Sequence, residues 1–175
     1  EECSVDKSLG DGKYRVDLKP VRIQGIGEAE ELFGAEETAN EMIAVYLFDE
    51  TEILRCRQEI NDQKMVAGLI YLDNYDEALE SVEEVRRSLL TALIDRKINK
   101  YISGMNGITK KLEKDKYFFA IKQRYVQELR DSRFSLLEEV KTVNIGNEMA
   151  VTLSIGLGMG GETYGQNYEF SRMAI

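Results

Sequence analysis

Polar and apolar positions alternate with a period of two in GKYRVDLKPVRI, Gly12 to Ile23, where Tyr14, Val16 and Leu18 are set against Arg15 and Asp17. That period predicts a strand with one buried face, because successive strand side chains point to opposite sides. Pro20 predicts an edge position or a break, since proline cannot donate a ladder hydrogen bond. A second strand is predicted in MIAVYLFDET, Met42 to Thr51, with the acidic, glycine-bearing stretch Gln24 to Glu41 between them as a loop. Two strands are too few for a stable sheet alone, so the segment is expected to be part of a truncated small domain or to pair with something else. Ile53, Cys56, Ile60 and Met65 then recur at helical spacing in ILRCRQEINDQKM. This predicts a polar helix, read as a connector because it is short for a coiled coil.

From Val66 the pattern changes. VAGLIYLD, Val66 to Asp73, is a continuous apolar run, which predicts a central strand buried on both faces. Ala78, Val82, Val85, Leu89, Leu93 and Ile98 follow at helical spacing and predict one long amphipathic helix. GITKKL and YFFAI flank a charged bend and predict a hairpin. Tyr125 to Val143 predicts a second helix with Val126, Leu129, Leu137 and Val140 inward, and MAVTLSIGLGMG, Met149 to Gly160, a buried strand. A last helix is expected to begin near the C-terminus. The order strand, helix, strand, strand, helix, strand is a ferredoxin-like split βαβ arrangement of the α+β class, with helices expected on one face of an antiparallel sheet. Such a scaffold does not fix a function.

Composition narrows the chemistry. The chain of 175 residues contains no histidine, which excludes Ser-His-Asp and Cys-His catalysis, His-ligated zinc and the usual proximal haem ligand. Cys3 and Cys56 make neither a disulfide framework nor a zinc site. A net charge of −9 disfavours a nucleic-acid surface and a basic lipid-binding patch. No apolar run approaches the roughly 18 residues of a spanning helix. The chain begins at Glu1 and ends in FSRMAI, and reads as a soluble piece of a longer protein. LSIGLGMGGE, Leu153 to Glu162, lacks the Lys and Ser/Thr of a phosphate-binding loop, so its glycines are expected to admit neighbouring backbone.

The bend LEKDKYFFAI, Leu112 to Ile121, lies where diguanylate cyclases and other GGDEF domains carry their signature, and it resembles that signature position by position. Glu113 and Lys114 stand where the two glycines would be, Asp115 keeps the aspartate, Lys116 replaces the glutamate and Tyr117 the phenylalanine. In the family the glycines let backbone approach the nucleotide, and the acidic pair supplies a metal ligand and helps activate the attacking hydroxyl. YLDNYDEALE departs as well: Tyr71 takes the place of the first, magnesium-binding aspartate, Asp73 the second, Tyr75 the phenylalanine, Asp76 the lysine, and Leu79 with Glu80 the Asn-Asp pair. The resemblance therefore implies a degenerate site without cyclase activity.

GLIYLDNYDEALESVEEVRRSLLTALI, SRFSLLEEVKTV and VTLSIGLGMG closely resemble the degenerate GGDEF domain of GdpP-type cyclic-di-AMP phosphodiesterases. The strands before Thr51 resemble, more weakly, the end of that family's PAS domain. The implied organisation is a partial PAS-like segment over residues 1–52, a connecting helix over 53–65 and a degenerate GGDEF domain over 66–175. The resemblance implies a regulatory segment on the cytoplasmic side of a bacterial membrane, with transmembrane helices, the PAS domain and a DHH-type phosphodiesterase as partners in the parent chain. A homodimer is also implied. The hydrolytic centre, rich in Asp and His, is not expected in a chain without histidine. An architectural or dimerising spacer is the alternative. Weak ATP hydrolysis with magnesium is a further implication. Its candidate contacts are Lys114, Asp115 and Lys116 for the nucleotide and Asp73 with Asp115 for the metal. Haem is not expected here, since only Cys3, a Met or a Tyr would serve as ligand. Asp115 also suits a turn, and Asp73 suits a helix cap.

Overall fold

The computed structural model describes residues 3–22 and 41–175, and the chain divides into two units, Glu1–Glu59 and Ile60–Ile175. In the first unit, β1 (Cys3–Leu9), β2 (Gly12–Arg22) and β3 (Glu41–Asp49) form an antiparallel sheet in the order β1-β2-β3. Strand β1 is an addition to the two predicted strands; it turns into β2 at Gly10, whose φ of 59° suits a residue without Cβ. Pro20 is tolerated although β2 is the middle strand. Among the described residues, pairing with β1 runs as far as Leu18, and Pro20 is paired with Ile43 of β3. The predicted loop Gln24 to Glu41 lies almost wholly outside the described residues.

Helix α1 spans Thr51–Gln63 and buries no side chain. The Asp49 carboxylate accepts a hydrogen bond from the Thr51 amide at 3.0 Å, which starts the helix; hydrogen bonding to Thr51, through its side chain first and its amide second, holds that carboxyl below its ordinary range. Met65, assigned to the helix from its spacing, instead opens the next strand.

In the second unit, β4 (Met65–Leu72), β5 (Ile108–Lys111), β6 (Lys116–Lys122) and β7 (Leu153–Gly158) are antiparallel in the order β5-β6-β4-β7. The unit's first and third strands are thus central, as a ferredoxin-like fold requires. Between β4 and β5 lie α2 (Tyr75–Glu80) and α3 (Glu84–Gly104); between β6 and β7, a 3-10 turn (Gln123–Tyr125), α4 (Val126–Asp131) and α5 (Leu136–Lys141). Helix α6 (Tyr164–Met173) follows β7, capped by the Thr163 hydroxyl, which accepts from the Gln166 amide.

Val66, Ile70, Tyr117, Phe119 and Ile121 join Leu90, Ile94, Ile98, Ile102, Leu129, Leu136 and Val140 in one core. The expected one-sided cover is corrected: α6 covers the opposite sheet face, where a Cβ on Gly156 or Gly158 would collide with the backbone of Ser171 or Asn167. That second layer is why β4 reads as a continuous apolar run. Gly68 lies on the core face with Val66 and Ile70, and the ring of its cross-strand partner Phe119 lies over it.

The predicted long helix is two. It breaks after Glu80, and α3 takes a new phase in which Leu90, Ile94, Ile98 and Ile102 face inward at intervals of four, while Val85 is 88% and Leu89 50% exposed. The second predicted helix also breaks, at Arg133 and Phe134, whose φ angles of 50° and 54° no helix continues through. Val126, Leu129 and Val140 are buried as expected, and Leu137 is half-buried.

Candidate functional site

The charged bend lies at the Leu72 end of β4. The Leu72 amide donates to the Asp115 carbonyl at 2.9 Å, and the next amide, of Asp73, donates to the Thr152 carbonyl at 3.0 Å. The bend is therefore pinned beside the position from which the chain leaves the sheet, and Asp73 and Asp115 share one end of it. Asp73 does not cap α2. Asn74 stands at the N-cap, and its amide side chain reaches across instead: its oxygen accepts from the Thr152 amide at 2.9 Å and its nitrogen donates to the Ala150 carbonyl at 2.9 Å.

The lysines are brought to other partners. Lys114 Nζ donates to both carboxylate oxygens of Asp76, at 2.7 and 2.6 Å, and Lys116 Nζ to both of Glu113, at 3.1 Å. These bonds hold both ammonium groups above their ordinary pKa. The Lys114–Asp76 pair is exposed, 61% on each side, so it ranks as a surface ion pair. Lys116 Nζ also lies 5.3 Å from the centre of the Tyr71 ring, and Lys114 Nζ 5.9 Å from that of Tyr75. Around the bend, the carboxylates of Asp73, Asp76, Glu113 and Asp115 outnumber the two lysines.

A magnesium ion asks for several hard oxygen ligands. Among the described residues no group of three or more His, Cys, Asp or Glu side chains could hold a metal. Asp73 and Asp115 are two carboxylates without a third, and beside them an ammonium rides over Tyr71, the position where the cyclase pattern has its metal-binding aspartate. The side chains present do not fit a resident metal.

Beneath the bend is a network that sequence reasoning missed. The Tyr117 ring is 1% exposed and its hydroxyl donates to Asp95 Oδ1 on α3. Lys111 Nζ on β5 binds the same carboxylate at 3.0 Å and lies 5.0 Å from the Tyr117 ring centre. Burial first, and the bond to Asp95 second, push the Tyr117 phenol far above its ordinary value of 10.0. Asp95 and Lys111 are sixteen positions apart and Tyr117 lies six beyond Lys111, so no sequence period marks the three. A cleft of about 720 Å³ lies at the other end of β4, between Met65, Gln123 and the loop Met159–Tyr164, away from the bend.

A split βαβ sheet with a hairpin beside the end of its first strand is the fold that GGDEF domains have. Two solved structures share the fold. One is a sensory box/GGDEF family protein from Caulobacter crescentus (19% identity, TM-score 0.52, covering 70% of this chain and 82% of that one). The other is the active GGEEF domain of a diguanylate cyclase from Vibrio cholerae (10% identity, TM-score 0.52, covering 70% and 78%). The family described as "Cyclic-di-AMP phosphodiesterase GdpP-like, GGDEF domain" matches residues 70–175, more than half of the chain, and the chain belongs to that family. The cyclic-di-AMP phosphodiesterase GdpP of Geobacillus thermodenitrificans is 28% identical over 116 residues, 66% of this chain and 18% of that protein. PdeA of Listeria monocytogenes, a cyclic-di-AMP phosphodiesterase, is 26% identical over 114 residues, 65% and 17%. The chain thus spans less than a fifth of the length of the curated relatives it matches. No helix among its described residues is long and apolar enough to cross a membrane.

Proposed function

We propose that this chain is a regulatory portion of a membrane-anchored bacterial cyclic-di-AMP phosphodiesterase, on the cytoplasmic side, and that its GGDEF-type domain makes no cyclic dinucleotide. The preceding sheet is the end of a PAS-like domain, and hydrolysis belongs to a DHH-type domain of the same parent protein. One observation carries the reading: both lysines of the bend are held by carboxylates of the domain itself, Lys114 by Asp76 and Lys116 by Glu113, where a cyclase would admit nucleotide and metal. Side chains at Glu113 and Lys114 fill the positions that glycines leave open in the cyclase pattern. The test is incubation of the chain with GTP or ATP and magnesium, followed by chromatography of the products. No cyclic dinucleotide is expected, and cyclic-di-GMP formation would refute the reading.

A second reading, nucleotide sensing, is favoured by the tyrosine rings of Tyr71 and Tyr75 lying under the two lysines. Phosphate oxygens would then displace Asp76 and Glu113 from Lys114 and Lys116, with Asp73 and Asp115 facing a magnesium ion brought in by the nucleotide. Calorimetric titration with ATP, GTP and cyclic-di-AMP, with magnesium, tests it. Heat that is lost in Asp115→Ala and Lys114→Ala supports the sensor, and no heat with any nucleotide leaves an architectural domain.

A further inference from the structure

We infer that the strip of sheet formed by β5 and β6 beside α6 is a docking surface for an acidic, amphipathic helix supplied by another part of the parent protein. This rests on the reading of the chain as one regulatory portion of a longer phosphodiesterase. Side chains alternate between the two faces of a strand, and Phe118 meets Tyr168 of α6, with ring centres 6.0 Å apart. Lys116, Phe118 and Lys122 of β6 therefore share the face on which α6 lies. The register adds Lys110 opposite Phe118 and Ile108 two residues before it, and Leu112 follows two residues after. Helix α6 packs against β7 and β4. Beyond it Phe118 is half-buried, and Ile108 and Leu112 stand 65% and 44% exposed.

Size and charge select the occupant. Neighbouring strands lie about 4.8 Å apart, so two of them offer a strip about 10 Å wide, the breadth of one helix. The 7 residues of β6 run about 20 Å, the length of a helix of roughly 13 residues. Ile108, Leu112 and Phe118 fit an apolar stripe on that helix. Lys110 stands between the first two, and Lys116 and Lys122 mark the two ends of β6, so the stripe must be flanked by carboxylates. Lys111, Lys114 and Lys116 are each paired with a carboxylate of the domain, whereas Lys110 is exposed and unpaired among the described residues. In a chain of net charge −9 this strip is basic. A second copy is refused, because face to face its lysines would meet lysines. The source is the parent chain: the matched residues make up 18% of the Geobacillus relative, so most of a protein of that kind lies outside this chain.

The experiment compares the 175-residue chain with the full parent protein, purified in detergent, by brief acetylation of lysines and mass spectrometry. In the parent, Lys110 and Lys122 should react at least about tenfold more slowly than in the isolated chain. Lys100, exposed on α3 on the other side of the sheet, should react at the same rate in both. Carbodiimide treatment of the parent should join Lys110 to a carboxylate in a segment with apolar residues three and four apart. Ile108→Asp should return Lys110 to its isolated-chain rate, and should leave the melting temperature of the isolated chain unchanged, since Ile108 faces solvent there. Lys110→Glu, which keeps the apolar contacts, should speed the acetylation of Lys122. Equal rates in chain and parent overturn the proposal. So does equal slowing of Lys100, which would mean general burial, and so does a link from Lys110 to a separate protein or to a second copy. A bare strip would leave the domain without cyclase activity as read above, whereas cyclic-di-GMP formation would refute that reading whatever the lysines show.

Discussion

Replacing Tyr117 by Phe keeps a ring of the same size in the core and deletes one hydroxyl. What is lost is its bond to the Asp95 carboxylate, a hydrogen bond to a charged group of the kind that contributes about 1.5–3 kcal/mol. Asp95 is 35% exposed and keeps Lys111 at 3.0 Å, so water and the lysine recover part of that. The expected loss near neutral pH is therefore about 1–2 kcal/mol. The pH dependence isolates the phenol. Its pKa is raised in the folded chain, so its contribution is fully present below the ordinary value of 10.0 and is lost as pH rises past it, because the unfolded tyrosine ionises while the folded one cannot. At about pH 11 that difference amounts to roughly 1.4 kcal/mol, one pH unit of linkage for one proton. Urea denaturation of both proteins between about pH 8 and pH 11 measures it, the unaltered tyrosines and lysines cancelling in the comparison. The stability gap between wild type and Tyr117→Phe should close almost fully over that range. A gap that stays constant would refute a buried, carboxylate-bound phenol at Tyr117.

Three further outcomes follow from the packing. Gly158→Ala places a methyl group against the Asn167 carbonyl of α6 and should destabilise by at least about 2 kcal/mol, read as a lower melting temperature. Asn74→Ala removes the acceptor for the Thr152 amide and the donor to Ala150, and should lose about 1–3 kcal/mol in chemical denaturation. Lys114→Ala, by contrast, breaks an exposed ion pair and should leave the melting temperature unchanged, so a clear drop would show that the bend is tied to the core through this residue.

The central elements were legible because burial writes itself into sequence. β4 is apolar on both faces, and the hairpin is two apolar runs around a charged bend. What escaped has physical causes. CSVDKSL alternates weakly, with Lys7 where an apolar residue would continue the pattern, so β1 carries little signal and is recognisable only once paired with β2. The breaks after Glu80 and at Arg133–Phe134 contain neither glycine nor proline, and a spacing count runs through them without notice. Val85 and Leu89 were assigned inward on a phase carried over from Ala78, whereas α3 sets its own phase from Leu90. At the bend, the candidate residues were legible by position but their partners were not. Asp76 lies thirty-eight positions from Lys114, and only the meeting of α2 with the hairpin brings them together.

The scaffold and the chemistry of the bend make separate demands, which explains how one can persist while the other changes. Glu113 and Lys114 are exposed and Asp115 and Lys116 half-buried, and none belongs to the core that fixes the sheet. Charge substitutions there alter what can approach the end of β4 and cost the fold little. Tyr117 differs, because its ring is a core residue and its hydroxyl reaches a carboxylate on α3. Where the cyclase pattern has phenylalanine, this chain has a residue that fills the same volume and adds a polar tie between hairpin and helix. A tie of this kind restrains the hairpin against α3, as the proposed reading without cyclase activity requires. The change at Tyr117 thus points the same way as the paired lysines, toward a bend held in place rather than kept open.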